Sequence, residues 1–201
     1  MQIKYPYAKQ NISSKDIKAV TSVLRSEYIT QGKELEKFEN EISKLMGARF
    51  AIVVNSGTAA LHISYHLVGV GPKGGIVTSP LTFLSTANAS ALLNGSVSFT
   101  DVDPNTGLMT KKTLSNSLKL KNTKTKVVVP VHLGGKACDM EGISDIARKN
   151  SMFIIEDASH APLAEYSDKN GKKYKVGACQ HSDITIMSMH AIKHIAMAEG
   201  G

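Results

Sequence analysis

Residues 126–160 read KVVVPVHLGGKACDMEGISDIARKNSMFIIEDASH, and this stretch decides the fold. Val127 to Val131 is apolar throughout, residues 140–149 read as a helix, and a second apolar run at 153–156 ends on an acid. Strands without polar alternation are buried on both faces, which is the mark of a parallel sheet covered by helices. The same alternation extends outward in both directions. Strand-like runs fall at 50–54, 76–79, 97–101, 127–131, 153–156 and 184–187, and helical stretches at 58–67, 84–93, 111–118 and 140–149. Two helices precede them, one capped by Ser13 or Ser14 and one from about Lys33 to Met46, stopped by Gly47. Between Ala164 and Gly177 the chain turns polar, which predicts a hairpin-like excursion around Asn170-Gly171. The class is α/β.

Composition agrees. The 201 residues hold 42% hydrophobic and 20% charged side chains, which excludes a disordered or collagen-like chain. Cys138 and Cys179 lie 41 positions apart with no CxxC pairing, arguing against a disulfide scaffold or structural zinc and for a reducing, cytoplasmic setting. The N-terminus has no apolar signal-like core and no run of 18 apolar residues occurs, so neither signal peptide nor membrane span is expected. Lys+Arg 24 against Asp+Glu 17 gives +7, and residues 111–126 hold six lysines and no acid. Without arginine or interleaved aromatics that run reads as a solvated helix face and loop, not a nucleic-acid patch. One decoy is set aside. Residues 69–74 match G-x-G-x-x-G, but the motif follows a helix, precedes a strand and contains Pro72, so it is a helix-to-strand turn.

In parallel sheets ligands bind beyond the carboxyl ends of the strands. Three features there combine. Asn55-Ser-Gly-Thr-Ala59 opens a helix whose N–H groups and positive end suit a phosphate. Asp157 is a carboxylate at the end of a buried strand, which needs a cationic or hydrogen-bonding partner. Lys193 leaves the last strand beside Ala191, Ile192 and Ile195, company that lowers an amine's pKa and makes it nucleophilic. A phosphate turn, a buried acid and a desolvated lysine suit pyridoxal 5′-phosphate. The pairs His62/His66 and His190/His194 have a spacing that can bind zinc, but neither has an evident third ligand and no metal site is expected.

With these residues in place the sequence resembles the DegT/DnrJ-type sugar aminotransferases of the aspartate-aminotransferase fold. The resemblance is carried by Tyr28-Ile-Thr-Gln-Gly32, Asn55-Ser-Gly-Thr-Ala-Ala60, Thr82-Phe83, Asp101-Val-Asp-Pro104, Pro130-Val-His-Leu-Gly134, Glu156-Asp-Ala-Ser-His160, and His190-Ala-Ile-Lys193 with Glu199-Gly-Gly201. The ending looks most like the branches acting on UDP-4-keto sugars in pseudaminic acid and aminoarabinose synthesis. The resemblance implies that Lys193 holds the cofactor as a Schiff base and moves protons, and that Asp157 pairs with the ring nitrogen. It implies His160 near the phenolic oxygen, Phe83 stacked on the ring, and Gly57, Thr58, Ala59 and Ser188 on the phosphate. Tyr7 and Glu27, Tyr28, Ile29 and Thr30 would line the sugar-nucleotide site. Glutamate would give its amine and leave as 2-oxoglutarate, in a homodimeric, cytoplasmic enzyme with no nucleic-acid or membrane partner.

Residues 1–32 then read as a helical substrate-loop segment and 33–201 as the large cofactor-binding domain. The resemblance implies truncation before an antiparallel strand that inserts beside the lysine-bearing strand, and before a small C-terminal domain. An incomplete sheet with unpaired edges and little activity are expected of such a chain. Met187, Met189, Ala196, Met197 and Gly74-Gly75 depart from the family pattern. A degenerate, noncatalytic remnant of the same fold is the alternative, and a nucleotide- or nucleic-acid-binding α/β module a third reading.

Overall fold

The computed structural model describes residues 8–120 and 125–201. Helices α1 (Ser14–Leu24), α2 (Lys33–Met46) and α3 (Gly57–Leu67) come first. Then β1 (Gly75–Thr78), α4 (Ser85–Leu92), β2 (Val97–Phe99), α5 (Lys111–Leu120), β3 (Thr125–Val129), α6 (Met140–Lys149) and β4 (Phe153–Asp157) alternate. The hairpin β5 (Glu165–Ser167) and β6 (Lys173–Lys175) follows, and β7 (Ile184–Ile186) ends the series. The main sheet runs β2-β1-β3-β4-β7, with every pair parallel.

The unbroken apolar strands explain two cores. Ile76, Val127, Val129, Ile155 and Ile186 meet Leu61 and Tyr65 of α3 and Ala89 of α4 on one face. Val77, Val128 and Ile154 meet Leu114 of α5 and Met140, Ile143 and Ala147 of α6 on the other. Adjacent residues on one strand thus serve opposite layers, and no position along Val127–Val129 of β3 or Ile154–Asp157 of β4 can be polar without a buried partner. The chain passes from β1 to β2 on one side and to β3 on the other, so the order reverses at β1 and opens a crevice at the strand ends.

Local signals act as the sequence predicts. Ser13 caps α1 in a reciprocal box with Asp16, whose carboxyl pKa is lowered by the Ser13 N–H and hydroxyl it accepts. Gly47 ends α2 at φ 79. The Gly69–Gly74 stretch closes a tight turn into β1 through reciprocal Gly71 and Gly74 backbone bonds. The hairpin turns at Gly171 and pairs Tyr166 with Tyr174. Lys111 at the head of α5 bonds Asp145 of α6 at 2.8 Å, while residues 121–124 of the lysine-rich run lie outside the described residues.

One expected strand is absent. Residues 50–54 join no ladder of the sheet; Val54 exchanges both backbone bonds with Gly201, and the Val53 N–H donates to Glu39. The residues are apolar as expected but face an apolar groove of about 560 Å³ shared with β7, α2 and α3. Phe50 and Ile52 stay largely exposed and β7 has β4 as its one sheet neighbour, so this side of the sheet has an unpaired edge. No helix among the described residues is long and apolar enough to cross a membrane.

Candidate cofactor site at the carboxyl ends of the strands

The site is built where β1, β4 and β7 end and α3 begins. Ser56 caps α3, its hydroxyl accepting the Ala59 N–H at 3.1 Å while its carbonyl takes the Ala60 N–H. The amides of Gly57 and Thr58 have no intrahelical acceptor and sit at the positive end of the helix. The Ala59 amide, expected on a phosphate, donates to the Ser56 cap. Ser188, just past β7, packs so closely on Gly57 that a β-carbon there would lie 3.0 Å from Ser188 Cβ. A side chain at Gly57 would be crowded by this approach, and the turn and Ser188 form one cradle. The Thr58 hydroxyl donates to Ser85 Oγ at 3.0 Å, tying the starts of α3 and α4.

Asp157 ends β4 with 5% exposure. Its Oδ2 accepts the Thr86 hydroxyl at 2.7 Å and its Oδ1 the Ser159 N–H at 3.2 Å. Lys193 and His160 lie within its electrostatic reach. Burial lowers the Lys193 pKa, and the Asp157 charge pulls it back up. His160 is held below the ordinary histidine value by burial and by the Lys193 charge, opposed by Asp157. The structure thus brings Asp157, His160 and Lys193 together. The neighbours of Lys193, Ile192 and Ile195, are 49% and 39% exposed.

Phe83 follows β1 and is 65% exposed, free of the core and open to a flat ligand. The substrate segment fares differently. Glu27, Tyr28, Ile29 and Thr30 are exposed on the α1–α2 connection, and none of their hydrogen bonds reaches the Lys193 group. Tyr7 lies outside the described residues. No residue of α1 is buried, so nothing in the described chain fixes this segment against the sheet.

Two networks escape a reading by motif. Thr82 and Thr86 form a hydroxyl chain into Asp157, and on the opposite face of β4 a buried Glu156 accepts from His132 at 2.8 Å, from Ser182, and from Thr185 at 3.2 Å. The four-residue spacing of the two threonines was the available signal for the first. Cys138 is buried, with its thiol pushed up to about 12 by burial, and Cys179 is raised for the same reason, which suits inert thiols.

Comparison with known proteins agrees with this geometry. Residues 10–201 match the DegT/DnrJ/EryC1/StrS aminotransferase family. The chain is 37% identical to the spore coat polysaccharide biosynthesis protein SpsC of Bacillus subtilis, over 98% of this chain and 48% of that protein. It is 38% identical to the UDP-4-amino-4,6-dideoxy-N-acetyl-beta-L-altrosamine transaminase of Campylobacter jejuni, over 97% of this chain and 50% of that one. Among solved structures, Helicobacter pylori PseC, an aminotransferase involved in pseudaminic acid biosynthesis, superposes at TM-score 0.86 with 32% identity, over 98% of this chain and 50% of PseC. The PLP-form of Spr1654, a candidate sugar aminotransferase of Streptococcus pneumoniae, gives 0.87 with 25% identity over 98% of this chain and 52% of that one. The chain spans about half the length of the curated relatives it matches. It belongs to the DegT/DnrJ/EryC1/StrS aminotransferase family.

Proposed function

We propose that this chain carries the cofactor-binding half of a pyridoxal 5′-phosphate-dependent sugar-nucleotide aminotransferase. The reaction moves the amino group of glutamate to the 4-keto carbon of a UDP-linked deoxy sugar, in a nonulosonate (pseudaminic acid-like) or amino-sugar route. The observation that carries this reading is the grouping of a part-buried amine, Lys193, with a carboxylate whose recorded partners all donate, Asp157. The residues fit the group. A cradle that crowds a side chain at Gly57 joins Ser188 to two first-turn helix amides without an intrahelical acceptor, which suits a phosphate dianion. When bound, the cofactor supplies an electron sink that weakens bonds to the carbon bearing the amine.

The protein's part is positional and protolytic. Asp157, a carboxylate that accepts from Thr86 and Ser159, would favour a proton on a ring nitrogen beside it. Lys193, its pKa lowered by burial, has more of its amine neutral and free to bond a carbonyl carbon or carry a proton. His160, held neutral by burial and Lys193, offers one N–H and one acceptor to an oxygen on the ring. Phe83 offers an exposed aromatic face for stacking.

In the same reading residues 1–32, with Tyr7 and Glu27 to Thr30, form the sugar-nucleotide segment, and residues 33–201 the large domain. The chain works as a cytoplasmic homodimer, whose partner would hold the exposed α1 segment in place. Names of relatives support the UDP-sugar class. Single-turnover transfer from glutamate to the cofactor-loaded protein tests the activity. Appearance of one equivalent of 2-oxoglutarate supports it. Cofactor binding with no such half-reaction would favour the noncatalytic remnant.

A further inference from the structure

We infer that Thr86 is a positioning residue for Asp157, the inner link of a one-way chain of hydroxyl donors from Thr82 through Thr86 that holds this carboxylate as an acceptor opposite a protonated ring nitrogen. The inference rests on the cofactor reading above.

Thr86 lies in the first turn of α4 and is completely buried. Its hydroxyl is 2.7 Å from Asp157 Oδ2 and 2.7 Å from Thr82 Oγ1. An ionised carboxylate has lone pairs and no proton to offer, so Thr86 donates to it. A hydroxyl has one hydrogen, so the second contact is filled by the proton of Thr82. The direction of the chain is thereby fixed: Thr82 donates to Thr86, and Thr86 donates to Asp157. The far oxygen of Asp157 takes the Ser159 N–H.

The clamp on Thr86 is equally directional. The Tyr65 hydroxyl donates to the Thr86 carbonyl at 2.9 Å. Burial and the nearby Asp157 charge both push the Tyr65 phenol well above its ordinary value, so it remains a donor. A threonine four residues after another in a helical turn can bond back to the carbonyl of that residue; here the hydroxyl crosses to a strand 71 positions away instead. Both groups that bond the Asp157 carboxyl donate, and donors of this kind bind a charged carboxylate more strongly than its acid form. Hydroxyl chains of this kind strengthen one another in a dry interior. Moving the shared proton from ring nitrogen to Asp157 is thus opposed by Thr86.

The test is the protonation of the ring nitrogen in protein loaded with ring-15N pyridoxal 5′-phosphate, read by its nitrogen chemical shift, for wild type, Thr86→Val, Thr86→Ser and Thr82→Val. The expected result is a protonated nitrogen in wild type and in Thr86→Ser. In Thr86→Val the equilibrium moves about tenfold toward the unprotonated form, the effect of deleting one hydrogen bond to a charged group. Thr82→Val lies between. Thr86→Val with the wild-type nitrogen shift overturns the inference. If that variant does not fold, Thr82→Val decides: a nitrogen shift equal to wild type overturns the inference, and a displaced one supports it. Failure of wild type to load, or an unprotonated wild-type nitrogen, overturns the cofactor reading and this inference with it.

Discussion

Replacing Glu156 by glutamine should destabilise the protein even though shape and volume are kept. Glu156 is 1% exposed and accepts from three side chains: His132, Ser182 and Thr185. His132 is fully buried, and its Nδ1 accepts the Cys138 N–H at 3.1 Å. The neutral imidazole proton must therefore sit on Nε2, pointing at the carboxylate. A glutamine oxygen can satisfy Ser182 and Thr185, but its amide group then faces the Nε2 proton. Turning the tautomer over moves the conflict to the Cys138 N–H, and flipping the amide lets the two hydroxyls accept from it but takes away the oxygen to which they donate. Every arrangement leaves at least one buried donor facing a donor or without its acceptor, at a cost of about 1–3 kcal/mol. Glu156→Leu takes the acceptor from all three donors, with Cys179 Sγ left beside Thr185, and should cost about 3–6 kcal/mol, a large share of the 5–15 kcal/mol typical of a domain. Urea unfolding followed by circular dichroism measures both. With a slope of about 2 kcal/mol per molar urea, Glu156→Gln should lower the midpoint by roughly 0.5–1.5 M. An unchanged midpoint in Glu156→Gln would refute the reading that this pocket needs an acceptor on both carboxylate oxygens.

Other outcomes follow from the site. Asp157→Asn removes the attraction that opposes burial at Lys193, so the pH at which Lys193 becomes half-reactive toward an acylating reagent, read by mass spectrometry, should fall; a rise would contradict the assignment. Lys193→Ala removes the positive charge that helps hold His160 down, so the His160 titration seen by NMR should move up. His160 takes its proton less readily folded than unfolded, so it contributes stability present above the ordinary value near 6.5 and lost as pH falls from there through its lowered folded value. The acid side of the stability curve should therefore flatten in His160→Gln. Gly57→Ala forces a β-carbon to 3.0 Å from Ser188 Cβ and should weaken pyridoxal 5′-phosphate binding about tenfold, measured by fluorescence titration, with Ser188→Gly restoring part of the loss.

Much of this architecture is legible in the chain because local and long-range signals agree. The 140–149 helix and the apolar runs at β3 and β4 carry patterns that burial on both faces demands, and Gly47 and the Ser13–Asp16 box mark helix ends by chemistry that needs no tertiary partner. Residues 50–54 misled because their apolarity records burial against something, not membership of a ladder. At the site, Asp157, His160, Lys193 and Gly57 were visible as types in strand-end positions. Thr86 was not, because a threonine inside STANAS is bland until β4 places a carboxylate 2.7 Å away. The segment at Glu27–Thr30 is legible by resemblance alone, and no contact in the described chain places it.

The central claim is that Lys193 is the amine that bonds the cofactor. The direct measurement is to load the protein with pyridoxal 5′-phosphate, reduce with borohydride, digest, and locate the covalent adduct by mass spectrometry. The account predicts one adduct per chain at Lys193, together with an absorption band near the visible edge that Lys193→Ala abolishes. An adduct spread over the surface lysines of residues 111–126, or a band that survives Lys193→Ala, would contradict it.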